Sequence, residues 1–286
     1  MTVKEAIQFG AAYLDERSLQ TPRQDAELLV ASILQRGRSF LYGHPEQELL
    51  ATQERLFHLW LTKRGAHYPI QYLRGKQEFY GRDFIVRPGV FIPRPETELL
   101  VEVGSALLQN KTEGPLRAAD VGTGSGCIAV TLACDNPRVT VTATDTSARA
   151  LDLARQNAEA HQCCDRISFF LGDTLLPVVS RQNYFDLILS NPPYVSWQER
   201  YQVELSVKKY EPSEAVFAGE SGHEVYKKLF RQGKAVLAPQ GFLVLELGHA
   251  SKGGVARLGL LEGWTLGQVR ADLAGIDRCA IFQKSS

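Results

Sequence analysis

From about residue 115 onward, short runs of apolar β-formers alternate with stretches of helical periodicity. The runs at 116–121, 138–144, 167–171, 185–190, 241–247, 264–270 and 278–283 read as strands. Helical spacing occupies 96–109, 125–134, 147–161, 222–237 and 251–260. Such alternation predicts an α/β fold built on a doubly wound sheet. Sheets of this kind bind ligands beyond the carboxyl ends of their strands, so the residues just after each strand are where chemistry is sought.

Residues 1–76 carry no strand signal. Ala6, Ile7, Phe9, Gly10, Tyr13 and Leu14 share one helical face, Thr21-Pro22 reads as an N-cap followed by proline in the first turn, and 46–64 give a third helix. A small helical bundle is expected there, with recognition of a protein partner as its role. Residues 77–93 change texture: β-formers punctuated by Gly81 and by Pro88-Gly89 read as a hairpin linker, leaving 94–286 as the larger domain. Arg94-Pro95-Glu96-Thr97-Glu98 then has the proline and first-turn carboxylates of a helix start, which accounts for Thr97 and Glu98.

Bulk numbers narrow the classes. The chain has 286 residues, 44% of them hydrophobic and 22% charged, with no apolar run long enough to cross a bilayer. Its acidic first residues read as neither a secretory signal nor a transit peptide, so the cytoplasm is expected. Lys plus Arg equals Asp plus Glu at 32 each, and residues 1–78 hold 10 basic and 9 acidic side chains. No field draws such a chain to nucleic acid. Cysteines 127, 134, 163, 164 and 279 form no CxxC pair and no ligand spacing, which predicts reduced thiols and no metal.

Two motifs sit at strand ends. In Phe185-Asp-Leu-Ile-Leu-Ser-Asn-Pro-Pro-Tyr-Val195, an apolar strand is stopped by Pro192 and Pro193. Asn-Pro is ordinary turn chemistry, but here it also builds a stiff corner with two acceptors, the Asn191 side-chain oxygen and the Pro192 carbonyl. Tyr194 follows as a flat wall. Such a corner suits a planar NH₂ group, one hydrogen to each acceptor. The second motif, Asp120-Val-Gly122-Thr123-Gly124-Ser125-Gly126-Cys127, is G-x-G-x-G between a strand and a helix. It is neither the G-x-G-x-x-G of nicotinamide cofactors nor a P-loop, and it suits a ligand without phosphates, such as S-adenosylmethionine. Asp145 ends the next strand, 23 positions after Gly122, near the spacing at which a carboxylate accepts from ribose hydroxyls. Ser147 can cap the helix that follows. Gly172-Asp173, with Thr174 beside it, is placed to receive the exocyclic amine of an adenine ring.

Together these residues resemble a class I methyltransferase. Pro69-Ile-Gln-Tyr-Leu-Arg-Gly75, Phe79-Tyr-Gly81, Ile92-Pro-Arg-Pro-Glu-Thr-Glu98, Asn191-Pro-Pro-Tyr194, Tyr210-Glu-Pro212 and Asp272-Leu-Ala-Gly-Ile-Asp-Arg278 are similar to the peptide chain release factor glutamine methyltransferases, the HemK/PrmC family. One departure is His249-Ala-Ser251, where the family often has a glutamine after Glu246-x-Gly248. The resemblance implies a Rossmann-like, mostly parallel seven-stranded sheet joined through a hairpin to a helical N-terminal domain. It implies methyl transfer from S-adenosylmethionine to the glutamine amide of the Gly-Gly-Gln motif of release factors, in translation termination. Asp120, Gly122, Thr123, Gly124, Ser125, Gly126, Asp145, Asp173, Thr174 and Asn191 are then expected to bind the cofactor. Asn191, Pro192, Pro193 and Tyr194 are expected to bind the substrate, with Asn191, Pro192 and Tyr194 catalytic. Alternatives stay open: another protein glutamine such as that of ribosomal protein L3, adenine in nucleic acid, or a non-catalytic S-adenosylmethionine-binding scaffold.

Overall fold

Leu187, Ile188 and Leu189 are fully buried, and successive residues of their strand supply different cores. In the computed structural model, Leu187 and Leu189 join one hydrophobic cluster while Phe185 and Ile188 join another. A strand apolar on both faces belongs in the interior of a parallel sheet covered by helices. The described residues are 1–111, 114–180 and 184–285.

They divide into two compact units, Met1–Lys76 with Glu204–Tyr210, and Gln77–Val203 with Glu211–Ser286. The first contains the helices Val3–Asp15, Pro22–Leu34, Arg38–Gly43, Ala51–Gly65 and Ile70–Arg74 around Leu14, Leu29, Phe57 and Leu61. The helix expected over 46–64 starts at Ala51 and is preceded by the short helix Arg38–Gly43, and Thr21 makes no side-chain cap: its hydroxyl donates instead to Asp25, 3.2 Å away.

Strands β1 (Lys76–Phe79) and β2 (Arg82–Ile85) form a two-stranded sheet. The turn between them is Tyr80-Gly81, both with positive φ (51° and 73°) as two-residue hairpins demand. Pro88-Gly89, expected to share in this hairpin, lies outside it. The large sheet contains β3 (Leu116–Val121), β4 (Val139–Asp145), β5 (Ile167–Leu171), β6 (Phe185–Ser190), β7 (Leu237–Glu246), β8 (Trp264–Ala271) and β9 (Asp277–Lys284), in the order β5-β4-β3-β6-β7-β9-β8. The first five are mutually parallel, and β9 runs antiparallel to β7 and β8. Winding reverses between β3 and β6, the switch point where such sheets open a crevice.

The helix Glu98–Gln109 packs on β6 at close range. A Cβ on Gly104 would lie 2.7 Å from Leu189 Cδ2 and 3.0 Å from Leu187 Cδ2. Close contact here sets how far the start of this helix stands from the end of β6. Gly104→Val is therefore expected to lower stability by about 1–3 kcal/mol through overpacking, read as a lower urea midpoint. An unchanged midpoint would contradict this contact.

Candidate active site

A cleft of ≈ 270 Å³ opens at the carboxyl ends of the parallel strands. Asp173, Asp145, Asp120 and Asn191 terminate or follow β5, β4, β3 and β6, which are spatial neighbours in that order. Gly122, Thr123, Gly124, Ser125, Asp145, Asp173, Thr174, Asn191, Pro192 and Pro193 all contribute to the cleft wall, but Asp120, Tyr194 and Gly126, which packs against Ala154, do not.

Gly122, Gly124 and Gly126 hold φ of 74°, 56° and 82°, the left-handed region that favours glycine. The amides of Gly122 and Thr123 both donate to the Thr144 carbonyl (2.8 and 3.0 Å), which folds the loop back over β4. A Cβ on Gly122 or Gly124 would meet nothing within 4 Å, so backbone rather than side chains faces the open space. No Lys or Arg lies in 120–129, so the loop brings no cation to this space.

Asp145 bridges this loop to the next helix. Its Oδ2 accepts from Gly124 N at 2.9 Å and its Oδ1 from Ser147 N at 2.8 Å. Burial raises its pKa, and the backbone hydrogen bonds oppose the rise. Ser147 caps its helix as expected, accepting from Ala150 N at 3.2 Å. Asp120 differs from the expectation of a ligand contact. It is fully buried under the loop, where Oδ2 accepts from Thr123 Oγ1 (2.6 Å) and Ala129 N (3.1 Å). Its work is to brace the loop.

Asp173 lines the cleft but is also ion-paired with Lys228 at 2.6 Å. The Thr174 hydroxyl and the Leu175 amide both reach Gln232 Oε1, at 2.6 and 2.7 Å. A further anchor escaped sequence reading. Asn157, fully buried in the helix Ala148–Ala160, donates to the Ser125 and Ile85 carbonyls and accepts from Ile85 N.

At the other wall, Asn191 Nδ2 donates to Thr97 Oγ1 at 2.9 Å. Thr97 makes no helix cap; its hydroxyl oxygen accepts the Asn191 amide hydrogen instead. Glu98, also expected to serve the helix start, accepts from the Tyr80 amide at 2.9 Å. Tyr194 was expected to wall the substrate amide. Its ring instead lies over Gly248, where a Cβ would stand 2.6 Å from Tyr194 Cδ2, and packs on the cluster containing Tyr226 and Leu247. Burial, with the Glu246 charge, pushes the Tyr194 phenol up to about 12, so it stays neutral. The corner is followed by a bridge from Val195 to Phe217, and nearby Glu211 accepts from Arg94 (2.5 Å) and from Ile92 N (3.1 Å), holding the Ile92–Arg94 segment. Among the described residues, no group of three or more His, Cys, Asp or Glu is placed to hold a metal, and no helix is long and apolar enough to cross a membrane.

Comparison with known proteins agrees with this geometry. The PrmC N-terminal domain model matches residues 5–75, and the methyltransferase small domain model matches 82–207. The release factor glutamine methyltransferase of Koribacter versatilis (strain Ellin345) is 40% identical over 99% of both chains. That of Coxiella burnetii (strain RSA 493 / Nine Mile phase I) is 34% identical, again over 99% of each. The chain belongs to the release factor glutamine methyltransferase family. A methyltransferase from Pyrococcus furiosus has the same class I fold, with a TM-score of 0.52 and 21% identity, covering 83% of this chain and 100% of that one.

Within this family member, the brace under the loop has a thermodynamic signature. Burial lifts Asp120 from 3.8 to about 7, against the Thr123 and Ala129 hydrogen bonds that favour its ionised form. The folded state then binds this proton more tightly than the unfolded state, so stability falls as pH rises from the ordinary value towards about 7. Asp120→Asn removes that titration. The variant's melting temperature is expected to change less than the parent's between about pH 5 and 8. Identical pH dependence in the two proteins would refute the assignment.

Proposed function

We propose that this chain transfers a methyl group from S-adenosylmethionine to the side-chain amide nitrogen of a glutamine in peptide chain release factors. The observation that carries the reading is the Asn191 carboxamide. With Nδ2 committed to Thr97, Oδ1 is left as an acceptor on a corner that shares one cleft with the glycine loop. The cleft also suits the cofactor. An open backbone loop without a cation disfavours phosphates, and the Asp145 carboxylate, at the end of β4, still has lone pairs for ribose hydroxyls. Gly122, Thr123, Gly124, Ser125, Asp145, Asp173, Thr174 and Asn191 would surround the adenosyl and sulfonium groups.

When bound, the cofactor supplies a methyl carbon on positively charged sulfur: the amide nitrogen's pair forms the C–N bond, the C–S pair returns to sulfur, and one amide proton leaves to solvent. The residues of the chain do the aligning. A carboxamide nitrogen is a poor nucleophile because its lone pair is delocalised into the carbonyl. Asn191 Oδ1 and the Pro192 carbonyl take its two hydrogens, with the Pro192-Pro193 backbone held stiff by its rings. Fixing the nitrogen for in-line attack contributes through effective molarity, worth up to about 7–11 kcal/mol at best. No general base is needed before attack, since the proton becomes acidic as the new bond forms. The near-neutral charge of residues 1–78 favours a protein partner over nucleic acid, and the helical unit is assigned to its recognition.

Two variants separate the roles. Asn191→Ala is expected to keep cofactor affinity by calorimetry while turnover on a release factor falls by about tenfold to a hundredfold, the worth of one lost acceptor. Equal loss of binding and turnover would place Asn191 with the cofactor instead. Asp145→Ala is expected to weaken S-adenosylmethionine binding by about tenfold or more. Unchanged affinity would overturn the ribose assignment.

A further inference from the structure

The turn after β5 has a backbone that its residue types do not favour by themselves. Thr174, which is β-branched, holds a φ of 51°, and Gly172 sits at 157°, where a Cβ would collide with Pro177 Cγ. One helix, Glu224–Val236, grips this turn with two side chains, Lys228 and Gln232, whose i, i+4 spacing puts them on one face. Gln232 Oε1 accepts from the Thr174 hydroxyl at 2.6 Å and from the Leu175 amide at 2.7 Å. A backbone N–H only donates, so the Gln232 carboxamide presents its oxygen here, to both donors at once. Lys228 Nζ pairs with Asp173 Oδ2 at 2.6 Å. Beneath them Leu175 and Leu229 are fully buried in one cluster. The Gly172 amide donates to the Asp145 carbonyl at 2.9 Å, which ties the turn to the end of β4.

We propose that Gln232 is a positioning residue for the cofactor's base: by locking the turn from Gly172 to Leu175 it fixes where the Asp173 carboxylate stands, and so sets the preference for adenine. The inference rests on the reading that Asp173 receives the exocyclic amine of that ring. Gly172, Asp173, Thr174 and Lys228 all line the cleft, whereas Gln232 does not, so it acts from behind the wall. With Oδ2 taken by Lys228, Asp173 keeps Oδ1 for an amine hydrogen. That hydrogen bond weakens steeply once distance or angle departs from the favoured geometry, so the carboxylate reads the amine only from a fixed position. A base with a carbonyl in place of the amine, as in inosine, would set two acceptors against each other. Without Gln232 the Leu175 amide and the Thr174 hydroxyl lose their shared acceptor, and Thr174 loses what keeps it in the left-handed region. The turn then relaxes, and base discrimination falls while the chemistry at Asn191 does not.

The test is calorimetry with S-adenosylhomocysteine and its inosine counterpart, beside steady-state methylation of a release factor. The parent is expected to bind the adenosyl compound about a hundredfold more tightly than the inosyl one. Gln232→Leu removes the acceptor; it is expected to weaken adenosyl binding about tenfold and to narrow the ratio between the two ligands by a similar factor. Its KM for S-adenosylmethionine should rise, while kcat at saturating cofactor and KM for the release factor stay within about twofold. Gln232→Glu keeps an acceptor for both donors and is expected to restore the parent's ratio. A parent-like ratio in Gln232→Leu, a Gln232→Glu variant as impaired as Gln232→Leu, or kcat falling in step with affinity would each overturn the assignment. If Gln232→Leu does not fold, Gln232→Ala decides by the same ratio, since position 232 is only half-buried and water can reach the freed Leu175 amide. Asp173→Ala run alongside separates two failures: a parent-like ratio there removes the reading of Asp173, whereas a collapsed ratio there beside an intact one in Gln232→Leu removes only the role of Gln232.

Discussion

A single hydrogen bond, from Asn191 Nδ2 to Thr97 Oγ1, ties the carboxamide at the end of β6 to the wall of the cleft. Much of the fold can be understood as holding those two atoms 2.9 Å apart. Asn191 is carried on β6, buried on both faces, and is stiffened by two prolines. Thr97 is carried at the start of a helix that lies against the same strand, brought close because Gly104 has no side chain to intervene. Glu98 ties that helix to the Tyr80-Gly81 turn, and Glu211 ties the preceding Ile92-Pro93-Arg94 segment in place. Precision of this kind comes from packed elements rather than loops.

The opposite wall is built on different physics. There an open glycine backbone faces the cleft, its Gly122, Thr123 and Gly124 amides held by Thr144 and Asp145, and side chains work from beneath. Asp120 braces the loop by accepting from Thr123 and Ala129, Asn157 fixes its far side through the Ser125 carbonyl, and Asp145 links it to the next strand end. The burial of Asp120 is costly and leaves Oδ1 unpartnered, which is tolerable when the raised pKa lets the group hold a proton near neutrality. One wall thus offers open backbone and a carboxylate edge, the other an oriented amide oxygen. A sulfonium donor and a planar amide meet naturally between two such walls.

Much of this was legible in the chain because strand ends are marked by composition. Apolar runs closed by Asp145, Asn191 or a glycine loop put polar groups on one edge of the sheet, and the spatial order of β5, β4, β3 and β6 did bring those positions together. What stayed hidden were side chains that act across long sequence separations. Thr97 sits in Pro-Glu-Thr-Glu, ordinary helix-start chemistry, and no local pattern says that its hydroxyl reaches a residue 94 positions away. One signal was nevertheless available: Asn157 is an asparagine on the buried face of an amphipathic helix, where that residue rarely sits without a partner. Tyr194 was misplaced for the converse reason: an aromatic after a turn packs wherever a glycine makes room, and Gly248 made room away from the cleft.

Neutron diffraction from deuterium-exchanged crystals is the most direct measurement of the central claim. The account predicts two deuterons on the Asn191 side-chain atom nearest Thr97, one of them directed at Oγ1, with the carboxamide oxygen toward the cleft. A carboxamide found with its oxygen toward Thr97 and its deuterons facing the cleft would contradict it.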